Sequence, residues 1–357
     1  MTPYDLLLVG AGHAHLGVLR RWARGERPTG RIGLLSAGPE ACYSGMLPGL
    51  LAGRYRPEEC RIALVPLCRA AGVELRIGEV LGLQASTRQL SLADGGKLSA
   101  AWLSLNVGAR VAVPPQAGTQ MQVLPVKPFA AFLAGWQAWR VEPRPLAILG
   151  GGAAGVELAL ALADRVPALA LFSAGPLLPG LAPGLRLRAL GHLLRRGVHV
   201  HEHCPIEAIV QDRLLSGGAP VWQGSRLLLA SGASPWPWLA DSGLACDGAG
   251  FVQIEASLQS RSHPQCFAVG DCASLPGAPK SGVYAVRQGP ILAVNLTASL
   301  NGGSLRAYRP QRQSLALLAT GDGGALLGWR GCSAGGAFFG WWKTRLDQGF
   351  MRRHRLE

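Results

Sequence analysis

Gly10-Ala11-Gly12 and Gly150-Gly151-Gly152-Ala153-Ala154-Gly155 stand 140 residues apart, counted between their first glycines, and each follows a short apolar run, residues 6–9 or residues 146–149. Glycine at such a strand-to-helix turn lets the backbone approach a pyrophosphate, whose charge then meets the free NH groups of the helix N-terminus. Two such runs imply two dinucleotides. The chemistry that two dinucleotides share is electron transfer, so a flavin and a nicotinamide are the expected pair. The second run is complete, with Gly150, Gly152, Gly155 and the helical stretch 156–162 in register. The first is degenerate: His15 stands at its third glycine position and Gly17 follows two residues later, so alone it reads equally as an ordinary turn.

A second echo follows each run. Ser36 and Ser173 sit in matching Ser-Ala-Gly-Pro stretches, at the strand end where an acidic residue usually grips a ribose 2′-hydroxyl. Serine can bond the ribose without repelling a 2′-phosphate, which leaves NADH and NADPH both open; Arg186 and Arg188 are the basic groups within reach in sequence. Gly108 and Gly232 close two further strand ends. Residues 267–272 read as a buried strand ending in Gly270-Asp271, where Asp271 either accepts a polyol hydroxyl or caps a helix. Lys280, Tyr284 and Ala285 precede a helical stretch, 290–300, whose N-terminus could face a flavin ring; Lys280 could offset charge there or stay solvated.

These signals predict an α/β chain: two Rossmann-like FAD/NAD(P)-binding domains, each three-layered on a parallel sheet, with a small C-terminal α+β cap. The FAD domain is expected over residues 1–112 and 235–300, the NAD(P)H domain over 125–234 and the cap over 301–357. In the cap, residues 315–320 and 325–329 read as a hairpin across Gly321-Asp322-Gly323-Gly324. An amphipathic helix follows. Phe339, Trp342, Leu346 and Phe350 share one face of it, against Lys343, Arg345, Arg352 and Arg353. That face suits either the interface of a membrane or docking on its own domain or on a partner in a homodimer.

Composition bounds the rest. Hydrophobic residues make up 48% and charged residues 16%, apolar for a soluble protein, yet no uninterrupted apolar run is long enough to span a bilayer. The net charge of +14 suits an anionic membrane surface or nucleic acid, but arginine so outnumbers lysine that biased coding composition explains it equally, and no nucleic-acid partner is expected. Eight cysteines form no C-x-x-C or C-x4-C pair, which argues against a dithiol relay. Cys42 reads as a small buried hydrophobe, with a lone thiol near the flavin as the alternative. Cysteines without framework spacing and no signal peptide point to the cytoplasm, at the inner face of the cell membrane if the C-terminal helix binds there. His199, His201 and His203 alternate on one strand, facing solvent opposite Val198 and Val200, and no metal is expected.

The order of the two glycine runs, Ala230-Ser231-Gly232 and Val269-Gly270-Asp271 resembles the pyridine nucleotide-disulfide oxidoreductase superfamily over nearly the whole chain. Gly12-His13-Ala14-His15, Tyr43-Ser44-Gly45-Met46-Leu47-Pro48-Gly49, Gly282-Val283-Tyr284-Ala285-Val286-Arg287 and Trp341-Trp342-Lys343 are similar to one subgroup, related to type-2 NADH dehydrogenases and also found fused ahead of selenide, water dikinase. The resemblance implies bound FAD, NAD(P)H as donor and two-electron transfer to a quinone or other small acceptor. It places His13 and His15 near the flavin and Glu157 near the meeting point of the cofactors, where a helix-terminal charge is the simpler reading. Gly282-Val283 departs from the Ala-Gln pair of type-2 NADH dehydrogenases, which implies a different acceptor pocket. A selenium-linked redox role and a non-catalytic basic flavoprotein that binds membrane or nucleic acid are the alternatives.

Overall fold

The computed structural model describes residues 3–356. Its helices are α1 (His13–Arg21), α2 (Leu47–Leu51), α3 (Leu64–Ala71), α4 (Phe129–Trp139), α5 (Ala153–Leu162), α6 (Pro183–Arg195), α7 (Pro237–Ala240), α8 (Gly282–Asn301) and α9 (Ala337–His354). A parallel sheet runs Glu74–Ile77, Ile32–Ser36, Tyr4–Val9, Lys97–Leu105, with Cys266–Ala268 beside the end of the last strand. A second orders Gln122–Pro125, Arg226–Leu229, Leu146–Leu149, Leu169–Phe172 and His199–His201, all parallel. Leu6, Leu7, Leu8, Ile148 and Ala147 are wholly buried. Parallel strands covered on both faces need such unbroken apolar runs, and these runs are what the sequence displays.

The two glycine loops leave their sheets in the same way. Gly10 has φ +89° and a side chain there would meet Asn106 O at 2.6 Å; Gly150 has φ +137° and would meet Ala230 O at 2.3 Å. Each carbonyl lies just past the strand that neighbours the loop's own, Lys97–Leu105 or Arg226–Leu229. Only glycine allows that approach with that backbone.

Apolar side chains gather into two cores. One joins Leu7, Leu34, Leu103 and Phe267 to Leu292 of α8; the other joins Ile148, Leu171 and Leu228 to Phe132 of α4. Two of the passages between them pair with each other as the antiparallel strands Arg110–Val111 and Ala233–Ser234. The C-terminal segment belongs to both, since Leu318 and Leu326 pack into the second core while Phe350 and Met351 of α9 pack into the first.

Two expectations for that segment need correction. The hairpin Ala316–Ala319 and Ala325–Trp329 gains a third strand, Cys332–Gly336, whose Cys-Ser-Ala-Gly-Gly composition carries no strand periodicity. In α9 the buried positions are Gly340, Asp347, Phe350, Met351 and His354, while Leu346 is 47% and Trp341 55% exposed. The cause is Gly340, where a Cβ would lie 1.9 Å from Gly323 O. The helix presses its bare face onto the hairpin turn, which rotates Lys343 and Asp347 inward and leaves Phe338 and Trp341 outside.

Helices α1 and α8 cross at Gly17 and Gly289, and a Cβ at Gly289 would stand 3.0 Å from Ala14 O. Gly289→Val is expected to push the helices apart and cost about 1–3 kcal/mol. Urea unfolding of the FAD-loaded protein checks this: a wild-type midpoint in the variant would show that the contact is not tight.

Candidate active site

The first glycine loop is organised by Asn106, which is 4% exposed. Its Oδ1 accepts the amides of Ala14 at 3.1 Å and His15 at 3.2 Å, and its Nδ2 donates to Val269 O at 3.0 Å. One carboxamide thus ties the start of α1 to the strand end that precedes Gly270-Asp271. His15 fills the third glycine position. In the second loop Gly155 sits so close to Gly150 O that a Cβ would be 1.8 Å away; in the first, His15 Nδ1 donates to the matching carbonyl, Gly10 O, at 2.6 Å, and Nε2 accepts from Ser104 Oγ at 2.8 Å. That arrangement needs the neutral ring protonated on Nδ1. Burial agrees, pushing the His15 pKa down to about 4.

Neither Gly12 nor Gly152 has a side-chain cap on the helix it begins. A Cβ at Gly108, Gly152, Gly175 or Gly232 would meet nothing within 4 Å. Asn106 takes the α1 amides of Ala14 and His15 but not that of His13, and helix starts beside such open backbone suit pyrophosphates, so the residues present fit two dinucleotides. Ser36 and Ser173 are buried at the two matching strand ends. Of the two arginines suggested for a 2′-phosphate, Arg186 forms a 2.9 Å ion pair with Glu202, while Arg188 is exposed and donates only from Nε to Ser333 Oγ among the described residues.

Asp271 ends its strand in a short turn, with Lys127 Nζ 2.6 Å from its Oδ2. Lys127 lies in no motif that marks it in sequence, whereas Lys280 does. The Lys280 ammonium instead donates to Ala273 O at 2.9 Å and lies 3.6 Å from the centre of the Phe251 ring, so its charge is spent within its own loop. Tyr284 turns its hydroxyl to Gln311 O, while Ala285 lies behind Gly270. A Cβ at Gly282, the first residue of α8, would stand 3.8 Å from His13 Cε1, so the α8 N-terminus does border the first loop. His13 also packs its ring 5.4 Å from Tyr43 and 5.7 Å from Phe350.

Glu157, on α5, meets residues that the sequence did not single out as chemical. Lys343 Nζ lies 3.9 Å from Glu157, 3.2 Å from Asp347 and 3.1 Å from Gly45 O. Tyr43 donates to Asp347 at 3.1 Å, and Glu157 accepts the Ala319 amide at 2.8 Å. One ammonium cannot neutralise two buried carboxylates. Burial holds both Glu157 and Asp347 above the usual carboxylate range despite Lys343. Burial also works against the Lys343 charge, but the two carboxylates outweigh it and raise its pKa. The only hint in sequence was an acid four residues after a lysine on a strongly basic helix. Cys42 keeps its proton more tightly than an ordinary thiol because it is partly buried, which fits packing rather than a thiol relay. His201 stacks on Phe172 at 4.5 Å, and no group of three potential metal ligands occurs among the described residues.

The family model described as pyridine nucleotide-disulphide oxidoreductase matches residues 4–289. The ferredoxin–NAD(+) reductase subunit of the benzene 1,2-dioxygenase system of Pseudomonas putida is 25% identical over 264 residues, covering 71% of this chain and 63% of that protein. Ferroptosis suppressor protein 1 of Xenopus tropicalis is 36% identical over 102 residues, 29% of this chain and 26% of that protein. Among solved structures, the sulfide:quinone oxidoreductase of Aquifex aeolicus superposes with a TM-score of 0.81 at 17% identity, covering 98% of this chain and 91% of that one. These matches bear out the expected fold class and the pairing of FAD with NAD(P)H.

Asn106→Asp removes the donor to Val269 O and is expected to cost about 1–3 kcal/mol, read as a lower melting temperature and weaker FAD retention. His13, His15 and His354 all have pKa values near 4, against 6.5 for an ordinary histidine, because burial disfavours their charge. The unfolded chain therefore binds protons first. Their contribution is complete above pH 6.5 and lost as pH falls towards 4. Melting temperature should drop across that window, and the drop should be smaller in His15→Phe.

Proposed function

The chain belongs to the pyridine nucleotide-disulphide oxidoreductase family, and from that premise we propose that it is an FAD-dependent NAD(P)H oxidoreductase that passes two electrons to a small acceptor, a quinone. Bound FAD would supply the exchange of electrons between donor and acceptor. Gly10, Gly12, Ser36, Gly108, Gly270 and Asp271 would hold it within residues 1–112 and 235–300, with Ala285 and the backbone at Tyr284 closing the α8 side. Gly150, Gly152, Gly155, Ser173 and Gly232 would hold NAD(P)H within residues 125–234, and residues 301–357 would form the cap.

The observation that carries the acceptor assignment is the buried group of Glu157, Lys343, Asp347 and Tyr43. A ferredoxin takes up single electrons and needs no proton, whereas a quinone reduced by two electrons takes up two. A carboxyl group that burial makes hold its proton more tightly, beside an ammonium, can act as a proton store, and its position at the seam between the two cores suits the second case. Phe338 and Trp341, exposed on the same helix, suit a lipophilic acceptor or the bilayer that dissolves it.

Anaerobic titration with NADH and then NADPH should bleach the flavin band, and ubiquinone-1 should restore it; failure of both nucleotides would end the NAD(P)H assignment. Lys343→Met is expected to slow reoxidation by ubiquinone-1 on the order of a hundredfold while leaving bleaching nearly unchanged. Quinone reduction should fall as pH rises through the elevated pKa of Glu157, because its carboxyl then loses the proton, and Glu157→Gln should remove that dependence. Sedimentation with anionic vesicles should be weaker for Trp341→Ser; equal sedimentation would remove the membrane role of α9.

A further inference from the structure

At the far end of Leu146–Leu149 from the Gly150 loop lies a cavity of about 340 Å³. Its wall includes Trp136 and Trp139 of α4 together with Arg140, Arg144, Arg165 and Arg226. Of the two carboxylates beside these four guanidinium groups, Asp164 is ion-paired with Arg196 and Glu142 with Arg144 at 2.8 Å, while Arg165 donates to Ala52 O, which leaves Arg140 and Arg226 without an ion pair among the described residues. Arg226 is 8% exposed and donates to Gln122 Oε1, Trp139 O and Glu142 O, all neutral acceptors, with no carboxylate in ion-pair range among the described residues. Burial accordingly lowers its pKa. A buried charge without a counter-ion is costly, and native proteins normally pair it.

Arginines can serve simply to satisfy carbonyls at helix ends, and Arg226 does so for the turn after α4. That role leaves Arg140 without an ion pair among the described residues, and it does not account for a cleft of this size opening to the surface beside two buried indoles. A cavity of this size admits a ligand of one or two fused rings and is at the lower limit of small-molecule sites. Indole walls select a flat apolar body. Guanidinium groups select carboxylate, sulfonate or phosphate.

We propose that this cavity is a binding site, separate from both dinucleotide loops, for a small planar aromatic acid whose ring lies against Trp136 and Trp139 and whose anionic group meets Arg140 and Arg226, with Arg144 at the rim held by Glu142. The site goes beyond the oxidoreductase reading and does not depend on it, because Gly150 and the cavity lie at opposite ends of the same strand. Its ligand replaces the missing counter-ion of Arg226.

Calorimetric titration of the FAD-loaded full chain with naphthalene-1-sulfonate, with NAD+ and NADP+ both in excess, tests the site. One saturable event per chain is expected. It should weaken at least tenfold in R140E/R144E, a change of two exposed residues, and at least tenfold when neutral 1-naphthalenemethanol replaces the sulfonate. Flavin bleaching by NAD(P)H should be unaltered in that variant, which separates this site from the dinucleotide sites. Absence of saturable heat, equal affinity in R140E/R144E, or equal affinity for the neutral probe would each overturn the proposal.

Discussion

A single buried carboxamide, that of Asn106, sets the geometry on which the rest of the first half depends. The first helix must start close enough to its neighbouring strand for glycine to be forced at residues 10 and 12, and that closeness requires something to absorb the helix's first amides. Asn106 does this with its oxygen and spends its nitrogen on Val269, so α1 and the Gly270-Asp271 turn are placed by the same side chain. No charge is involved. A carboxylate in its place would have competed with a pyrophosphate for the same electropositive helix end.

The two loops also show how one steric problem has two solutions. In the second, Gly155 clears the Gly150 carbonyl by lacking a side chain. In the first, His15 occupies the gap and satisfies the corresponding carbonyl by hydrogen bonding. A histidine at that position looks like a broken fingerprint only if glycine is taken as the requirement. The physical requirement is that the carbonyl be either cleared or bonded, and a neutral imidazole does the latter at the cost of losing its titration near neutral pH.

What could be read from the sequence was what depends on neighbours along the chain. The apolar strands, the glycine turns and the Gly-Asp strand end are local, and from them follow the α/β architecture and the family resemblance, both of which stand. What depends on distant segments was misread or missed. Lys280 lies near a helix start in sequence, which suggests a charge beside the flavin, but its ammonium sits over the ring of Phe251 and donates to Ala273 O. Periodicity assigned α9 an apolar face, and Gly340 overrode it by allowing backbone contact with the turn at Gly323. Lys343 and Asp347 gain their chemistry only from Glu157 and Tyr43, more than 150 residues away, so no window of sequence contains the cluster.

The pairing of Arg110–Val111 with Ala233–Ser234 has a mechanical consequence. A two-stranded ribbon alone bends across its plane far more readily than it shears within it, but here it is not alone: Leu47 and Leu51 of α2, from the first half of the chain, pack into the second core. The C-terminal segment adds a third tie, its hairpin seated in the second core and α9 in the first. Three ties that do not share a line leave no axis about which the halves can swing apart like a shell. Traffic of small molecules is then confined to the open edges of the seam, and wide opening is reserved for whatever first unseats both α2 and the C-terminal segment.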